Sequence, residues 1–406
     1  MRYDLIIIGM GLSGLMAAKT AAGEGKKVLI VGKGMGALCL LSNTIDVLGQ
    51  FPKIIRMRDN LFQWIKDHPQ HPYSKVGLEK IEEALNSFLS LFPPPYSFQT
   101  VDHMNCLIPT GAGTLRPTYF IPITMVEGTS LNEGKALIVG LKGFKDFYAH
   151  YVADQLKCRG VNVSLSDLLH GEITTTYLGR LMEKNSFIKN IGREIKKQLN
   201  GENLIGFPAL LGVHDPIQVK NNLEEIIGAK VFEIPTLPPS IPGMRIFNRF
   251  KEWLIQKGVT FLLGYPVSKV TLKGKKCEGI EVSHPPVTTS YSADRYILAS
   301  GRFMGGGLEG TAEKIFEPIF HLPIPQPQSR GGWFEKKFFT VSPHRIHRVG
   351  ILTNNAFQPI DERGGLILEN VWVAGSILAH HHFIDEKSRE GIEITTGYWA
   401  TKKAME

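Results

Sequence analysis

Tyr3 to Val31 reads YDLIIIGMGLSGLMAAKTAAGEGKKVLIV, and this stretch decides the fold. Tyr3–Ile8 is an apolar run of strand length. It leads directly into Gly9-Met10-Gly11-Leu12-Ser13-Gly14, which opens a small-residue helix through Leu15 to Ala22. Gly25 ends that helix, and Lys27 to Val31 predicts a second buried strand. Strand, G-x-G-x-x-G, helix and strand in this order form a dinucleotide-binding βαβ unit. Gly9 allows the tight turn, Gly11 lets the backbone approach a pyrophosphate, and Gly14 lets the helix pack close to the strand. The helix N-terminus, with Leu12 and Ser13 in its first turn, offers free N–H groups and partial positive charge to the phosphates.

With 406 residues and 43% hydrophobic content, the chain suits two domains better than one. No apolar window approaches the ~18 residues of a membrane span, and no leader is expected before the first strand. Four cysteines, Cys39, Cys106, Cys158 and Cys277, form no C-x-x-C and read as reduced cytosolic thiols. Their spacing argues against an iron–sulfur cluster held by this chain. The formal charge of +8 suits an anionic substrate, an acidic partner or a membrane surface better than nucleic acid.

Two later strands end in glycine turns: Arg295 to Ala299 into Ser300-Gly301, and Val371 to Ala374 into Gly375-Ser376. A closing helix from about Gly391 to Lys403 follows. This order favours a flavin over a nicotinamide, because flavoproteins with two dinucleotide-type folds place their glycine turns so. Gly375 and Ser376 would lie by the ribityl chain. The backbone near Gly391 and Ile392 would face the flavin pyrimidine, with Glu393 turned outward. Ser42, Asn43 and Thr44, in the irregular segment after the second strand, offer hydrogen bonds to a flavin ring. Val267, at the head of a hairpin strand, completes the cofactor candidates. The second strand usually ends in an acid that holds the adenosine ribose; here Gly32 and Lys33 stand there instead. Either backbone and Lys33 hold the ribose, or the cofactor is FMN. The Gly9–Gly14 loop suits a pyrophosphate and so favours FAD.

Met57 to Lys66 and Lys75 to Phe92 predict helices. His380, His381 and His382 are adjacent. In an extended segment neighbours alternate, so only His380 and His382 would share a direction, and no third and fourth metal ligands stand near. No metal is expected. His380 and His382 are candidates for proton transfer. Arg245 and Arg302, each beside an ordered loop, are candidates for an anion contact at the reacting centre, and Arg116 for an anion or flavin contact.

The chain resembles the B-type subunit of the anaerobic glycerol-3-phosphate dehydrogenase family. The opening DLIIIGMGLSGL carries the resemblance, together with the loop from Gly36-Ala37-Leu38 to Asp46 and His71-Pro72-Tyr73-Ser74. Further carriers are Val139-Gly140 with Phe144 to His150, and Pro235-Thr236-Leu237-Pro238-Pro239-Ser240 with Gly243 and Arg245. Leu298 to Leu308 (LASGRFMGGGL) and Glu317-Pro318-Ile319 complete the set. The resemblance implies oxidation of sn-glycerol 3-phosphate, a phosphorylated small molecule, by a complex. Its partners would be a larger flavoprotein subunit and an iron–sulfur subunit that contacts the membrane and feeds quinone. The family usually assigns FMN to this subunit. The sequence departs from the family at Lys387 to Glu393, where a cysteine- and glycine-rich turn is replaced and Gly391 alone remains.

The expected architecture is an α/β flavoprotein fold of the two-dinucleotide-binding, Rossmann-like FAD/NAD(P) type with an inserted cap. The flavin domain would comprise 1–56, 240–310 and 345–406, and the cap 57–239 with about 311–344. The expected place is the cytoplasm, peripheral on the inner face of the cell membrane only through partners. A stand-alone NAD(P)-linked reductase and an assembly subunit that has lost its flavin remain alternatives.

Overall fold

The computed structural model describes residues 1–49, 56–131, 134–164, 173–338 and 343–406. The described chain divides into two units: Met1–Ala37 with Arg58–Leu91 and Arg249–Glu406, and Leu38–Met57 with Phe92–Asn248.

In the first unit, β1 (Arg2–Ile8), α1 (Leu12–Gly23) and β2 (Val28–Gly32) form the expected βαβ start. Leu5 to Ile8 are all buried, as a central parallel strand covered on both faces requires. The helix Met57–Asp67 follows, then α2 (Pro72–Val76) and α3 (Leu78–Leu89), these last two split at Gly77, where φ is +90°. The sheet continues with β3 (Thr260–Leu263), β4 (Val267–Lys273), β5 (Lys276–His284), β6 (Val287–Leu298) and β7 (Val371–Val373). Among the described residues it has seven strands, with β3, β2, β1, β6 and β7 side by side and parallel. The first part of β6 instead pairs antiparallel with β5, and β5 with β4. One long strand therefore joins the parallel sheet to a hairpin extension. After β7 come α4 (Phe383–Glu386) and the closing helix α5 (Arg389–Met405).

These contacts draw the boundaries differently from the sequence. The 58–91 helices, expected in the cap, belong to the first unit because α3 is bonded to the closing helix. The Tyr398 hydroxyl donates to Glu83 Oε1 at 2.7 Å, and Trp399 Nε1 donates to Lys80 O at 2.8 Å. The described part of 311–344 also belongs there.

The second unit carries a parallel four-stranded sheet in the order Lys230–Ile234, Leu204–Pro208, Ala136–Leu141, Arg159–Val163. Its core gathers Ile138, Val139, Ile205, Phe207 and Phe232. Among the described residues, no helix of the chain is long and apolar enough to cross a membrane.

The closing helix lies hard against α1. A Cβ on Gly397 would stand 2.4 Å from Ser13 O, a backbone atom that cannot step aside alone. Gly397→Ala is expected to cost about 1–3 kcal/mol by overpacking. Chemical denaturation checks this, and an unchanged midpoint would mean the two helices are not locked.

Candidate functional site

The C-terminal ends of β1, β6 and β7 meet at one edge of the first unit's sheet. Backbone bonds fix them there: Gly9 N–H to Val31 O at 2.7 Å, Ala299 N–H to Ile8 O at 2.8 Å, and Ala374 N–H to Leu298 O at 3.0 Å. β2 lies on one side of β1 and β6 on the other, so the chain reverses its strand order here. Ligands of open α/β sheets bind at such a crevice.

The glycines of the first turn separate by what surrounds them. A Cβ on Gly9, where φ is +117°, would lie 2.2 Å from Ala299 O, and one on Gly14 would lie 1.9 Å from Gly9 O. Both are demanded by backbone packing. A Cβ on Gly11 would meet nothing within 4 Å, so that glycine leaves open space rather than filling a contact. Gly11 is the N-cap of α1; no side chain caps it and no acid sits in the first turn. The first N–H groups of α1 are thus left for a ligand. The Ser13 and Ser300 hydroxyls are buried without a partner. Gly375, with φ +88°, approaches Ser13 so closely that a Cβ would be 2.9 Å from its Oγ, and a Cβ on Gly301 would be 3.8 Å from Ser376 Oγ. Ser13 and Gly375, and Gly301 and Ser376, are therefore brought together at the ends of these strands.

At the end of β2, Gly264 N–H donates to Gly32 O at 2.8 Å, which brings the segment leading to Val267 to that end. Lys33 is exposed, and its Nζ stands 3.6 Å from the Cβ position of Gly306 in the glycine loop after β6.

Ser42, Asn43, Thr44, Arg116 and Arg245 belong to the second unit. The Asn43 amide is spent on Leu38 O, Leu41 O and Ser240 Oγ, which leaves no N–H of it for a flavin. Arg116 donates to Ser42 Oγ at 2.9 Å and pairs with Asp46. Arg245 does not support the catalytic expectation. Its guanidinium is buried and held by both Glu233 oxygens at 2.7 and 2.8 Å and by Gly212 O at 2.8 Å, a closed structural ion pair.

The closing helix starts at Arg389, slightly earlier than expected, so Gly391 and Ile392 lie inside its buried first turn. Glu393 does not turn outward. It is buried and accepts from Arg389 Nε at 3.2 Å, because Gly375 packs against its face of the helix. Burial raises its carboxyl above the usual range against the opposing pull of Arg389.

The three adjacent histidines also depart from the expected alternation. His380 has φ +66°, which breaks the extended run. His380 is left exposed, while His381 and His382 are both buried. Beside them lie residues the sequence did not single out as functional. His71 caps α2: its Nδ1 accepts from Tyr73 N–H at 3.1 Å, so the proton is on Nε2, which meets Glu386 Oε2 at 3.2 Å. Glu386 also accepts from the His382 amide at 2.6 Å and the Ser388 hydroxyl at 2.8 Å. Burial pushes the Glu386 carboxyl up, but the His71 bond, nearby charge and the His382 amide outweigh it and hold it at about 2. Burial and the Arg302 charge drive His381 well below the ordinary histidine value. The sequence signals for this cluster are the histidine run and His71-Pro72. They name the residue types, but only the fold brings positions 71 and 386 together.

A family model described as FAD binding domain matches residues 4–391. The chain belongs to this FAD-binding family. FAD is its cofactor, and it is a flavin-dependent dehydrogenase. It is 31% identical to the B-type subunit of the probable anaerobic glycerol-3-phosphate dehydrogenase of Halobacterium salinarum, over 99% of this chain and 98% of that one. It is 28% identical to the B-type subunit of the anaerobic glycerol-3-phosphate dehydrogenase of Aliivibrio fischeri, over 100% of this chain and 96% of that one. Among solved structures, it is similar to 3-ketosteroid delta1-dehydrogenase of Sterolibacterium denitrificans over 100% of both chains, at 11% identity and a TM-score of 0.45. The residues of the crevice fit FAD: Gly11 leaves space, α1 presents uncapped N–H groups, and buried hydroxyls stand ready as donors.

The buried histidines of this FAD-binding chain set a pH dependence. His381 stays neutral in the folded state, whereas in the unfolded chain it takes up a proton below the ordinary value of 6.5. Acidification through that range therefore favours unfolding, and His347, His380 and His382 shift in the same direction. Glu386 has the depressed-carboxylate sign. Its contribution is complete above the ordinary value of 4.5 and is lost as pH falls toward about 2. The melting temperature is expected to drop in two stages, and His381→Asn should flatten the first. A melting curve without a drop below about pH 6.5 would contradict the buried neutral imidazole.

Proposed function

We propose that this chain is the FAD-carrying subunit of a multi-subunit dehydrogenase acting on sn-glycerol 3-phosphate. Electrons would pass to an iron–sulfur partner and on to quinone, with a larger flavoprotein as the second partner. The observation that carries this reading is the full-length likeness to two chains, each named as the B-type subunit of such a dehydrogenase. In this reading the chain meets the membrane only through its partners.

The pyrophosphate of FAD would lie over Gly9, Gly11 and Gly14, held by the N–H groups of Leu12, Ser13 and Gly14. Gly32 and Lys33 would flank the adenosine ribose in place of an acid, with Val267 nearby. Gly301, Ser300, Gly375 and Ser376 would line the ribityl chain, and the first turn of α5 around Gly391 and Ile392 the pyrimidine edge. When bound, FAD would supply the two-electron acceptor for the hydride of the alcohol carbon, with the partner as the next acceptor. The alcohol proton must go to a base, and the histidines from His380 to His382 stand nearest in sequence to the ribityl turn. Neutral imidazole is the form that accepts a proton, and partial burial favours it at His380; the His382 Nδ1 is already taken by the Asp385 N–H. Glu390 and Glu393 place two carboxylates in the opening turns of α5, with Arg389 at 3.7 and 3.2 Å balancing them.

Gly11→Val tests the cofactor site with little risk to the fold. Since no atom lies within 4 Å of a Cβ at Gly11, the melting temperature without FAD should stay near that of the parent. FAD content, read by absorbance near ~450 nm and by extraction, should fall to background. Full flavin occupancy in the variant would show that the loop holds no pyrophosphate.

The complex is tested in native cells. The chain should co-purify with a larger flavoprotein and an iron–sulfur protein, and sn-glycerol 3-phosphate should bleach the flavin of the assembly. A lone chain that reduces quinone at full rate would overturn the subunit reading.

A further inference from the structure

Arg302 follows Gly301 out of β6 and is 8% exposed. Its guanidinium meets only carbonyl oxygens: His347 O, Leu378 O at 3.2 Å and His381 O at 3.3 Å. Its Nε has no partner. Glu386 acts on it from beyond contact, and burial pulls the guanidinium down to about 10. A buried guanidinium without a counter-ion is costly.

The groups around Arg302 are equally short of acceptors. His381 is 1% exposed, and neither ring nitrogen has a partner. His382 Nδ1 faces Asp385, but its Nε2 has none. The His71 ring stands edge-on to His381 at 6.2 Å, and the His347 ring edge-on to His382 at 4.8 Å. Phe383 packs between, 5.5 Å from the Arg302 guanidinium and 6.0 Å from the His381 ring. Lys75 donates to Thr353 O and Oγ1 at 2.6 and 2.8 Å, and its charge reaches His380. Against these groups stands Glu386, whose oxygens are already taken by His71, His382 and Ser388. The centre therefore has buried nitrogens without acceptors, and the Glu386 carboxylate beside them is committed to other donors.

We propose that this centre binds the phosphate group of a phosphomonoester substrate. The inference rests on the glycerol 3-phosphate reading and locates that substrate's anionic end in this chain. A phosphate offers three terminal oxygens in a tetrahedral array, and unpartnered nitrogens arrive from three residues, Arg302, His381 and His382. A carboxylate, with two oxygens in one plane, would leave one of them bare. Arg302, whose Nη groups already donate to carbonyl oxygens, supplies the fixed charge and its free Nε–H. The imidazoles supply N–H donors, and a dianion beside them would draw a proton onto His381. Arg302 is the residue after Gly301, so the bound phosphate would lie next to the glycine turn at the end of β6.

The test uses the full chain with FAD bound. Isothermal titration with inorganic phosphate, sn-glycerol 3-phosphate, glycerol and glycolate reads the site directly. Phosphate and glycerol 3-phosphate should compete for one site, with glycerol and glycolate silent. Arg302→Gln and His381→Asn should each weaken phosphate by about tenfold or more while retaining FAD. Arg302→Lys should fall between parent and Gln. If the variants do not fold, the parent alone decides: phosphate should raise its melting temperature above chloride at equal ionic strength.

Unchanged phosphate affinity in the folded variants, tight glycolate binding, or no stabilisation of the parent by phosphate would overturn the proposal. Loss of FAD from Arg302→Gln would overturn it too, since the arginine would then serve the cofactor. The two readings fail separately. Arg302-dependent phosphate binding in a chain whose FAD glycerol 3-phosphate cannot reduce upholds the centre and removes the substrate. Reduction with unchanged KM in both variants upholds the substrate and removes the centre.

Discussion

The backbone contact of Gly9 with Ala299 is the constraint on which the site depends. At φ +117°, Gly9 turns the chain away from β1 while leaving no room for a side chain beside Ala299 O. The same turn places Gly9 O under Gly14, so α1 can begin only if residue 14 also lacks a side chain. Two glycines thus set the distance between β1, β6 and α1. The closing helix also packs close on α1, through Gly397 against Ser13 O, while Gly375, in the turn after β7, lies against the Ser13 side chain. The uncapped N-terminus of α1 is held between three close contacts.

Electrostatics divides the first unit into two regions. Around Gly11 the chain supplies partial charges only, backbone N–H groups and hydroxyls, which attract an anion without a large desolvation cost. Around Arg302 it supplies full positive charge in buried surroundings, with His381 kept neutral by that charge and by desolvation. A neutral histidine next to a buried arginine is costly in stability and useful in chemistry, since it can take a proton when negative charge comes near. The Arg245–Glu233 pair of the second unit shows the opposite arrangement. There the guanidinium is matched by both carboxylate oxygens and a backbone carbonyl, and the pair holds a core together.

The sequence makes the βαβ start legible because its determinants are local. Alternatives to strand, tight turn and small-residue helix are excluded residue by residue between Tyr3 and Val31. The turns at Ser300-Gly301 and Gly375-Ser376 are legible for the same reason. Asn43 and Arg245 are not, because a polar side chain near a glycine looks the same whether it will face a ligand or a buried partner. Glu393 fails similarly: its burial follows from Gly375 packing on one face of α5, and helix periodicity does not reveal that neighbour. The histidine run misleads through a single dihedral. Alternation holds in extended chain, and His380 at φ +66° is not extended.

What the sequence alone determined is the nucleotide-binding topology, the FAD class of the chain and its kinship, since these rest on contiguous motifs. What only the tertiary structure decided is which polar residues are spent and which are spare. His71 and Glu386 meet across 315 positions, and Arg302 reaches the carbonyl of His381 across 79. The division has a physical cause. Backbone conformation is governed by near neighbours in the chain, whereas the satisfaction of a buried donor depends on whatever the fold brings beside it.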